Sequence, residues 1–284
     1  MSNTIELAKS FVPKLDECYR LASLTSVLDG APELAKQGAN ANELIIPMMS
    51  MDGLADYSRN GGYVQGGVTM TNETVKCNFD RGRRFDVDVM DDLETAGLAF
   101  GRLSAQFIRD KVVPELDAFR FASYCGISGV TKKEETLADG AATVAALSTA
   151  VTAMDDEEVT ATGRYLFITP TLLQGINDMD TTKSKNEQVI KVPQRRFYTA
   201  IKQLSGKTGE EAGGYTKATG AANINFAIVQ KDALIQYTKH AAPKIIAPEN
   251  NPDADAYVFG YRMVGIAKAY KNMLSGMYFS HDKA

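Results

Sequence analysis

The chain has 284 residues and a mass of 30.8 kDa, with 44% hydrophobic and 23% charged residues, an ordinary composition for a globular protein. Thirty-one basic residues against 35 acidic residues give a net charge of −4, so the basic surface typical of a nucleic-acid-binding protein is not expected. No apolar run is long enough to cross a bilayer and no signal peptide follows Met1, so we expect no membrane partner.

The sequence offers few residues that could support catalysis. Because His281 lies close to the end of the chain, a Ser-His-Asp or Cys-His arrangement would depend on His240. No Gly-x-Ser-x-Gly motif accompanies it, and neither Cys-x-x-Cys nor His-Glu-x-x-His is present as a metal-binding motif. The cysteines are odd in number and far apart, which predicts free thiols at Cys18, Cys77 and Cys125. We therefore expect no catalytic residue, no cofactor and no metal ion.

Two segments resemble ligand-binding motifs without satisfying them. Residues 206–208 read Gly-Lys-Thr, but the first glycine of a P-loop would fall at Ile201, so we interpret 206–214 as a flexible loop. The acidic cluster at residues 86–92 lacks the glycine and the terminal glutamate of a calcium loop. We interpret its carboxylates as the polar side of a strand that runs into the first turn of a helix, where acids favour the helix dipole.

The first third of the chain predicts an arm and a hairpin rather than a packed domain. Residues 4–29 have weak helical periodicity interrupted by Pro13, and residues 43–48 form a short apolar strand. The glycine-rich stretch at 53–82 alternates loosely between apolar and polar side chains, which is typical of a hairpin with little to bury. We expect this stretch to find its partner surface on another chain.

The strongest helical pattern begins at Asp91. Apolar side chains recur at steps of three and four through residue 113, and Pro114 then kinks the helix or starts a second segment through residue 122. From residue 130 the pattern alternates between helices and strands. We predict helices at 144–154, 170–176 and 197–204, strands at 165–168 and 224–228, and a C-terminal hairpin of strands at 258–269 and 276–280.

Several of these stretches resemble the major capsid (coat) proteins of tailed bacteriophages with the Hong Kong 97-type fold. Residues 53–63 are similar to the entry to that family's extended loop, and residues 80–95 are similar to its exit into the long spine helix. Residues 113–120 resemble the end of the spine helix, and residues 164–176 and 227–233 resemble parts of the axial domain. The order of these parts matches over nearly the whole chain and is more specific than any single part.

The resemblance implies an α+β subunit with an N-terminal arm, an extended β-hairpin loop, a long spine helix, a peripheral domain and an axial domain. It also implies where these parts begin and end. The implied divisions are the arm at 1–51, the extended loop at 52–86, the spine helix and peripheral domain at 87–125, the axial domain at 126–250, and C-terminal strands at 251–284 that return to the peripheral domain.

The function implied by the resemblance is self-assembly, without catalysis, into pentamers and hexamers of an icosahedral head shell that encloses double-stranded DNA. The implied location is the virion capsid, assembled in the cytoplasm of a bacterial host. Implied partners are other copies of the chain, a separate scaffolding protein, a portal protein and an optional decoration protein, with the packaged DNA contacted only weakly. Two alternatives stay open: an encapsulin-type nanocompartment, which shares this fold and encloses protein cargo, and a soluble α+β enzyme.

Candidate contacts between subunits lie in and after the extended loop. Three arginines lie beside three aspartates over residues 80–88, which favours ion pairs between subunits, and a solvated mixed-charge strand is the alternative interpretation. A covalent crosslink between Lys76 and Asn272, of the kind some family members form, is not expected. The full set of candidates is Asp80, Arg81, Arg83, Arg84, Asp86, Asp88, Tyr63 and Lys76.

Overall fold

The computed structural model describes residues 23–30, 36–37, 43–90, 98–178 and 188–283 of the chain. The helices within these ranges are α1 (Leu98–Phe107), α2 (Val113–Gly126), α3 (Gly140–Asp156) and α4 (Pro170–Asn177). The strands within them are β1 (Lys36–Gln37), β2 (Glu43–Met51), β3 (Val68–Lys76), β4 (Phe79–Asp88), β5 (Thr131–Glu134), β6 (Arg164–Ile168), β7 (Gln188–Lys191), β8 (Ile201–Gln203), β9 (Tyr215–Lys217), β10 (Ile224–Gln230), β11 (Leu234–Ile246), β12 (Ala256–Ala269) and β13 (Met277–His281). This mixture confirms the predicted α+β class.

The described strands form two larger sheets and two smaller units. A five-stranded sheet has the order β5-β13-β10-β6-β7, and a three-stranded sheet has the order β11-β12-β4. The long strands β2 and β3 pair antiparallel with each other, with the short β1 on the outer side of β2, and β8 pairs with β9. The β2–β3 hairpin therefore stands apart from both larger sheets.

Helices cover the five-stranded sheet on both faces. All seven residues of its central strand β10 are buried. Val229 packs in the same cluster as Phe121 of α2, whereas Phe226 packs in the same cluster as Ala150 of α3. The sequence predicted this strand from its alternating apolar and polar residues. A strand covered on both faces also needs an almost continuous run of apolar residues.

The long helix after the hairpin is continuous in path but irregular in hydrogen bonding. A π-helical turn at Ile108–Val112 joins α1 to α2, and Pro114 lies in the first turn of α2. Of the two outcomes predicted for Pro114, a second helical segment is the one observed. The predicted start at Asp91 and the arm before residue 23 lie outside the described residues.

The predicted C-terminal hairpin is wrong, although both of its strands exist. β12 is the central strand of its sheet, since β11 pairs with one edge and β4 with the other. No edge of β12 is left for β13, which enters the five-stranded sheet between β5 and β10 instead.

The helix predicted at 197–204 is also wrong. Ile201–Gln203 is strand β8, which pairs antiparallel with β9 from Ile201↔Lys217 to Gln203↔Tyr215. The apolar spacing that suggested a helix has another cause, because Phe197 is fully buried and packs its ring edge-on to Phe121 at 4.8 Å. A single buried aromatic followed by a short paired strand produces the same spacing as one helical face.

Gly276 allows a close approach of two turns. An added Cβ at this position would lie 2.6 Å from the Cβ of Ala233, a separation that real Cβ atoms do not adopt. We expect Gly276→Ala to lower the free energy of unfolding of the unassembled protein by about 1–3 kcal/mol, measured by urea denaturation. Gly126→Ala is the matched control, because nothing lies within 4 Å of its added Cβ; a similar loss in both variants would contradict this explanation.

Candidate interaction surfaces

The candidate contact residues of β4 divide between two faces of the three-stranded sheet. Successive side chains of a strand point to opposite faces, and β4 pairs in register with β12. Tyr261 and Met263, opposite Arg83 and Arg81, pack in a buried cluster with Val113 of α2. Arg81 and Arg83 therefore lie on the helix-covered face, and the other candidates of β4, namely Asp80, Arg84, Asp86 and Asp88, lie on the opposite face.

Arg81 and Arg83 bind other parts of their own chain. Arg81 donates from Nε to Oε1 of Glu115 at 2.8 Å and from Nη2 to the carbonyl oxygens at both ends of the loop 204–214, at 2.7 and 3.2 Å. Arg83 donates from Nη2 to the carbonyl oxygen of Glu211 at 2.7 Å. Burial raises the pKa of Glu115, and the neighbouring Arg81 opposes that rise. The two arginines thus hold the loop against β4.

The opposite face of β4 carries exposed ion pairs. Asp80 accepts hydrogen bonds from Nε and Nη2 of Arg262 at 2.9 and 2.6 Å, and these bonds hold the pKa of Asp80 below its usual value. Arg84 donates to Asp86 at 2.8 Å, and the exposed carboxylate of Asp88 accepts a backbone N–H two residues later. Exposed pairs of this kind contribute little to the stability of a fold. That these charges contact another subunit stays a prediction.

The β2–β3 hairpin is anchored at its base and exposed beyond it. Nine residues of each strand pair in register, up to Met51↔Val68. Near the base, Val75 is buried in a small cluster with Ile235 of β11 and Ile266 of β12. Lys76, one of the candidate contacts, ends β3 and is exposed.

The hairpin tip, residues 53–66, extends beyond a hydrogen-bonded neck. The backbone N–H of Asp52 donates to the carbonyl oxygen of Gly67 at 3.1 Å, and the N–H of Gly67 donates to the Asp52 carboxylate at 2.7 Å. Tyr63, another candidate contact, is 90% exposed, and its ring lies 4.9 Å from that of Tyr57. No residue of the tip is buried.

One face of the hairpin is apolar and exposed. Met49 faces Met70 across the strands and Met51 faces Val68, and residues two apart in a strand share a face, so these four side chains form one patch. Eight large hydrophobic side chains of the hairpin are exposed in all: Met49, Met51, Leu54, Tyr57, Tyr63, Val64, Val68 and Met70. Contiguous exposed apolar surface of this kind is typical of a site that binds another molecule.

The hairpin should be protected by neighbouring subunits. Val75 is buried, whereas the other β3 residues whose side chains the structure describes are exposed. Segments with few buried contacts open at low free-energy cost. We expect amide hydrogen exchange over residues 49–70 to be fast in the unassembled protein and at least about tenfold slower in an assembled particle. Equal exchange in both states would contradict an intersubunit role for the hairpin.

A buried polar network, which the sequence did not predict, fastens residues 23–30 to the core. Asp117 of α2 is fully buried, and its carboxylate accepts hydrogen bonds from the hydroxyl groups of Ser23 and Thr25 at 2.9 and 2.7 Å. It also accepts the backbone N–H groups of the two residues after Ser23, at 3.1 and 3.3 Å, and pairs with Nη1 of Arg196 at 3.2 Å. We call residues 23–30 the anchor segment.

Two further side chains complete this network. Arg120, 2% exposed, donates to the hydroxyl of Thr25 at 2.8 Å and pairs with Asp29 at 3.2 Å. Gln236 donates to the carbonyl oxygen of Thr25 at 2.6 Å and to Asp29 at 2.8 Å, and it accepts from the Tyr124 hydroxyl at 2.6 Å. The sequence signal for this network was the spacing of Asp117 and Arg120, three residues apart in a mostly apolar helix, because buried charged side chains are generally paired.

A groove of about 710 Å³ opens on the helix-covered face of β4. Its lining includes the partly buried Phe85, Leu103 and Phe107, and the loop 204–214 forms part of its wall. The exposed cations Lys111 and Arg195 also line it. Neither forms an ion pair with any acidic side chain of the described residues.

The residues considered for catalysis and metal binding are dispersed. His240 is exposed on β11, where the pairing with β12 shifts register. Within the described ranges, no three histidine, cysteine or acidic side chains lie close enough together to hold a metal ion. Cys77 and Cys125 are free thiols, whereas Cys18 lies outside those ranges. Among the helices that can be described, none is long and apolar enough to cross a membrane.

No protein-family model and no curated protein matches this sequence, but solved structures match the fold. The chain is similar to Gordonia phage Cozz, with a TM-score of 0.62 and 11% identity over 93% of this chain and 87% of that chain. It is similar to a virus-like particle from Pyrococcus furiosus, with a TM-score of 0.61 and 10% identity over 97% and 99%. It is similar to the capsid of cyanophage P-SCSP1u, with a TM-score of 0.57 and 12% identity over 87% and 85%.

These similarities establish the fold of the chain. The alignments cover most of each chain. Because the sequence identities are near 10%, what the chains share is their architecture. The chain has the Hong Kong 97-type capsid fold, which confirms the fold predicted from the order of its sequence motifs.

Proposed function

We propose that this protein is a major capsid protein that assembles into the icosahedral head shell of a tailed bacteriophage. The observation that carries this proposal is the hairpin, which projects eight large hydrophobic side chains into solvent from a subunit with a capsid fold. This exposed apolar surface does not stabilise a single chain. When neighbouring copies cover it, apolar surface is buried at every subunit and the assembly is stabilised.

The contacts of such a shell join two different surfaces of neighbouring copies, because contacts of this heterologous type close rings of five or six. A hairpin held near its base by Val75 and exposed beyond it can change its angle slightly between the two rings. Its methionine side chains adapt to small shifts, since they are unbranched and polarisable. Individual contacts can be weak, because each subunit engages several neighbours at once.

We expect pentamers and hexamers in a virion capsid, assembled in the host cytoplasm with a separate scaffolding protein and a portal protein, and with room for a decoration protein. The net charge of −4 suits a container that confines DNA and contacts it weakly. The role is structural and needs no catalytic turnover.

We further propose the divisions at 1–51, 52–86, 87–125, 126–250 and 251–284 as the working units of the subunit. The charged face of β4 is our candidate for lateral ion pairs. Its exposed members Asp80, Arg84, Asp86 and Asp88 are better placed for this role than Arg81, which binds its own chain.

A nanocompartment shell that encloses protein cargo is the second candidate. The observation that favours it is the similarity to the Pyrococcus furiosus virus-like particle, which spans nearly all of both chains. The two candidates differ in what the shell encloses, and the measured contents of purified particles distinguish them.

The test is expression of the full chain alone and with the neighbouring genes of its source, followed by sedimentation and negative-stain microscopy. We expect closed particles built of rings of five and six. A protein that stays monomeric or forms small discrete oligomers under both conditions would refute the proposal.

A further inference from the structure

We propose that Asn60 and Gly61, in the hairpin tip, form a site of spontaneous deamidation in the unassembled protein. The pair is the one Asn-Gly dipeptide of the sequence. Both residues are exposed, and they lie in a turn that is closed by an isolated antiparallel bridge between Ser58 and Gly62. The inference concerns a covalent change of the chain itself, which the proposed shell function neither requires nor supplies.

The reaction needs only these two residues and water. The backbone nitrogen of Gly61 loses its proton and attacks Cγ of Asn60, a carbon–nitrogen bond forms, and the side-chain amide takes up a proton and leaves as ammonia. Water then opens the cyclic imide on one of its two sides. Opening at Cγ leaves aspartate. Opening at the backbone carbonyl of Asn60 leaves isoaspartate, in which the main chain runs through the former side chain.

Gly61 suits this chemistry because it leaves the attacking nitrogen uncrowded. A glycine has no Cβ beside its nitrogen and restricts its backbone least, so the nitrogen can approach the neighbouring side chain. Packing does not demand a glycine here. An added Cβ at Gly61 would lie 3.5 Å from Oγ and 3.6 Å from Cβ of Ser58, which are ordinary contact distances. Alanine therefore fits the turn and separates the chemistry from the fold.

The turn is held only by exposed hydrogen bonds. The backbone N–H groups of Ser58 and Gly62 donate to each other's carbonyl oxygens at 3.3 and 2.7 Å, and the N–H of Gly61 donates to Oγ of Ser58 at 3.1 Å. The last bond holds the proton that the reaction removes, so the turn opens before Gly61 attacks. No residue of the tip is buried, and segments with few buried contacts open at low free-energy cost.

Assembly should protect the site. This consequence rests on the proposed shell function, in which neighbouring copies cover the hairpin. A covered turn opens less often, so the nitrogen of Gly61 is released less often and conversion slows. Either product adds a negative charge to the tip, and isoaspartate also lengthens the main chain by a methylene group. The site therefore distinguishes subunits that have aged in the free state from those that assembled early.

Ageing the unassembled full-length protein at mildly alkaline pH, in water labelled with heavy oxygen, tests the chemistry. Alkaline pH speeds the reaction because the nitrogen of Gly61 must lose its proton. Peptide mass spectrometry should find the label at residue 60, mostly in isoaspartate. We expect Gly61→Ala to slow conversion on the order of tenfold. Gly53→Ala is the matched control, because it adds a methyl group to the same tip with nothing within 4 Å and does not follow an asparagine.

Label at residue 60 that falls in Gly61→Ala and stays unchanged in Gly53→Ala supports the proposal. An unlabelled residue 60 overturns it. Equal labelling in Gly61→Ala also overturns it, because the side-chain amide would then be hydrolysed without attack by the neighbouring nitrogen.

The same measurement on purified particles separates this proposal from the shell function. Particles that form from a protein whose free subunits keep Asn60 on ageing overturn the deamidation site and leave the shell intact. Conversion of Asn60 in a protein that never forms particles supports the site and refutes the shell. Where both hold, conversion in particles should be at least about tenfold slower than in free subunits, and equal rates would overturn the protection by neighbours.

Discussion

Replacing the hairpin tip, residues 53–66, with an Asn-Gly turn should give a folded subunit that builds no stable shell. The neck between Asp52 and Gly67 already brings the two strands together, and Asn-Gly suits a two-residue connection. No tip residue is buried, so the apolar burial that stabilises the subunit is retained. The change removes contact area at every subunit of a shell, so particle yield should fall by at least about a hundredfold.

The measurement is circular dichroism during heating, together with sedimentation. A cooperative melt close to that of the unchanged protein with no fast-sedimenting particles is the expected result. Arg59→Ala with Asn60→Ala is the control, because it keeps the apolar side chains of the tip and should assemble normally. Normal particles from the truncated protein would show that the hairpin tip has no role in assembly.

Among substitutions that replace an acidic side chain with the corresponding amide, Asp117→Asn should cause the largest loss of subunit stability. The carboxylate is fully buried, accepts four hydrogen bonds from the anchor segment and pairs with Arg196. Removing its charge leaves the largely buried Arg196, 13% exposed, without its acidic partner, and breaking a buried pair costs about 3–5 kcal/mol. The anchor segment should also become sensitive to limited proteolysis.

Urea denaturation of the unassembled protein measures this loss. Asp110→Asn is the matched control, since Asp110 is exposed and, among the described residues, pairs with Arg109 alone at the surface. The loss of stability in this variant should stay below about 1 kcal/mol. If Asp117→Asn lost equally little stability and its anchor segment still resisted limited proteolysis, the role assigned to the network would be contradicted.

The parts of the fold that could be predicted from sequence are those with a local signal. Alternation identified β10, helical spacing identified α3, and the order of motifs identified the fold. The prediction of a C-terminal hairpin failed because the partner of a strand depends on which sheet edges are free. β12 is already paired on both edges, so β13 cannot pair with it. The prediction of a helix at 197–204 failed because a buried aromatic residue followed by a short strand gives the same spacing of apolar residues as a helix.

The candidate contacts show the same limit. The mixture of acidic and basic residues at 80–88 identified six candidates on one strand, yet their roles depend on the face each one occupies and on partners distant in sequence. Asp80 pairs with Arg262, 182 residues away, and Arg81 reaches a loop more than 120 residues away. The exposed apolar face of the hairpin was missed for a similar reason, since it exists only once Met49 and Met70 are paired across two strands.

A reconstruction of the purified particle by cryo-electron microscopy would show directly how neighbouring subunits meet. We expect a closed icosahedral shell of pentamers and hexamers in which each hairpin lies across a neighbouring subunit, with the exposed side chains of residues 49–70 covered by that neighbour. A protein that forms no shell, or a shell in which the hairpins remain uncovered by any neighbour, would contradict this expectation.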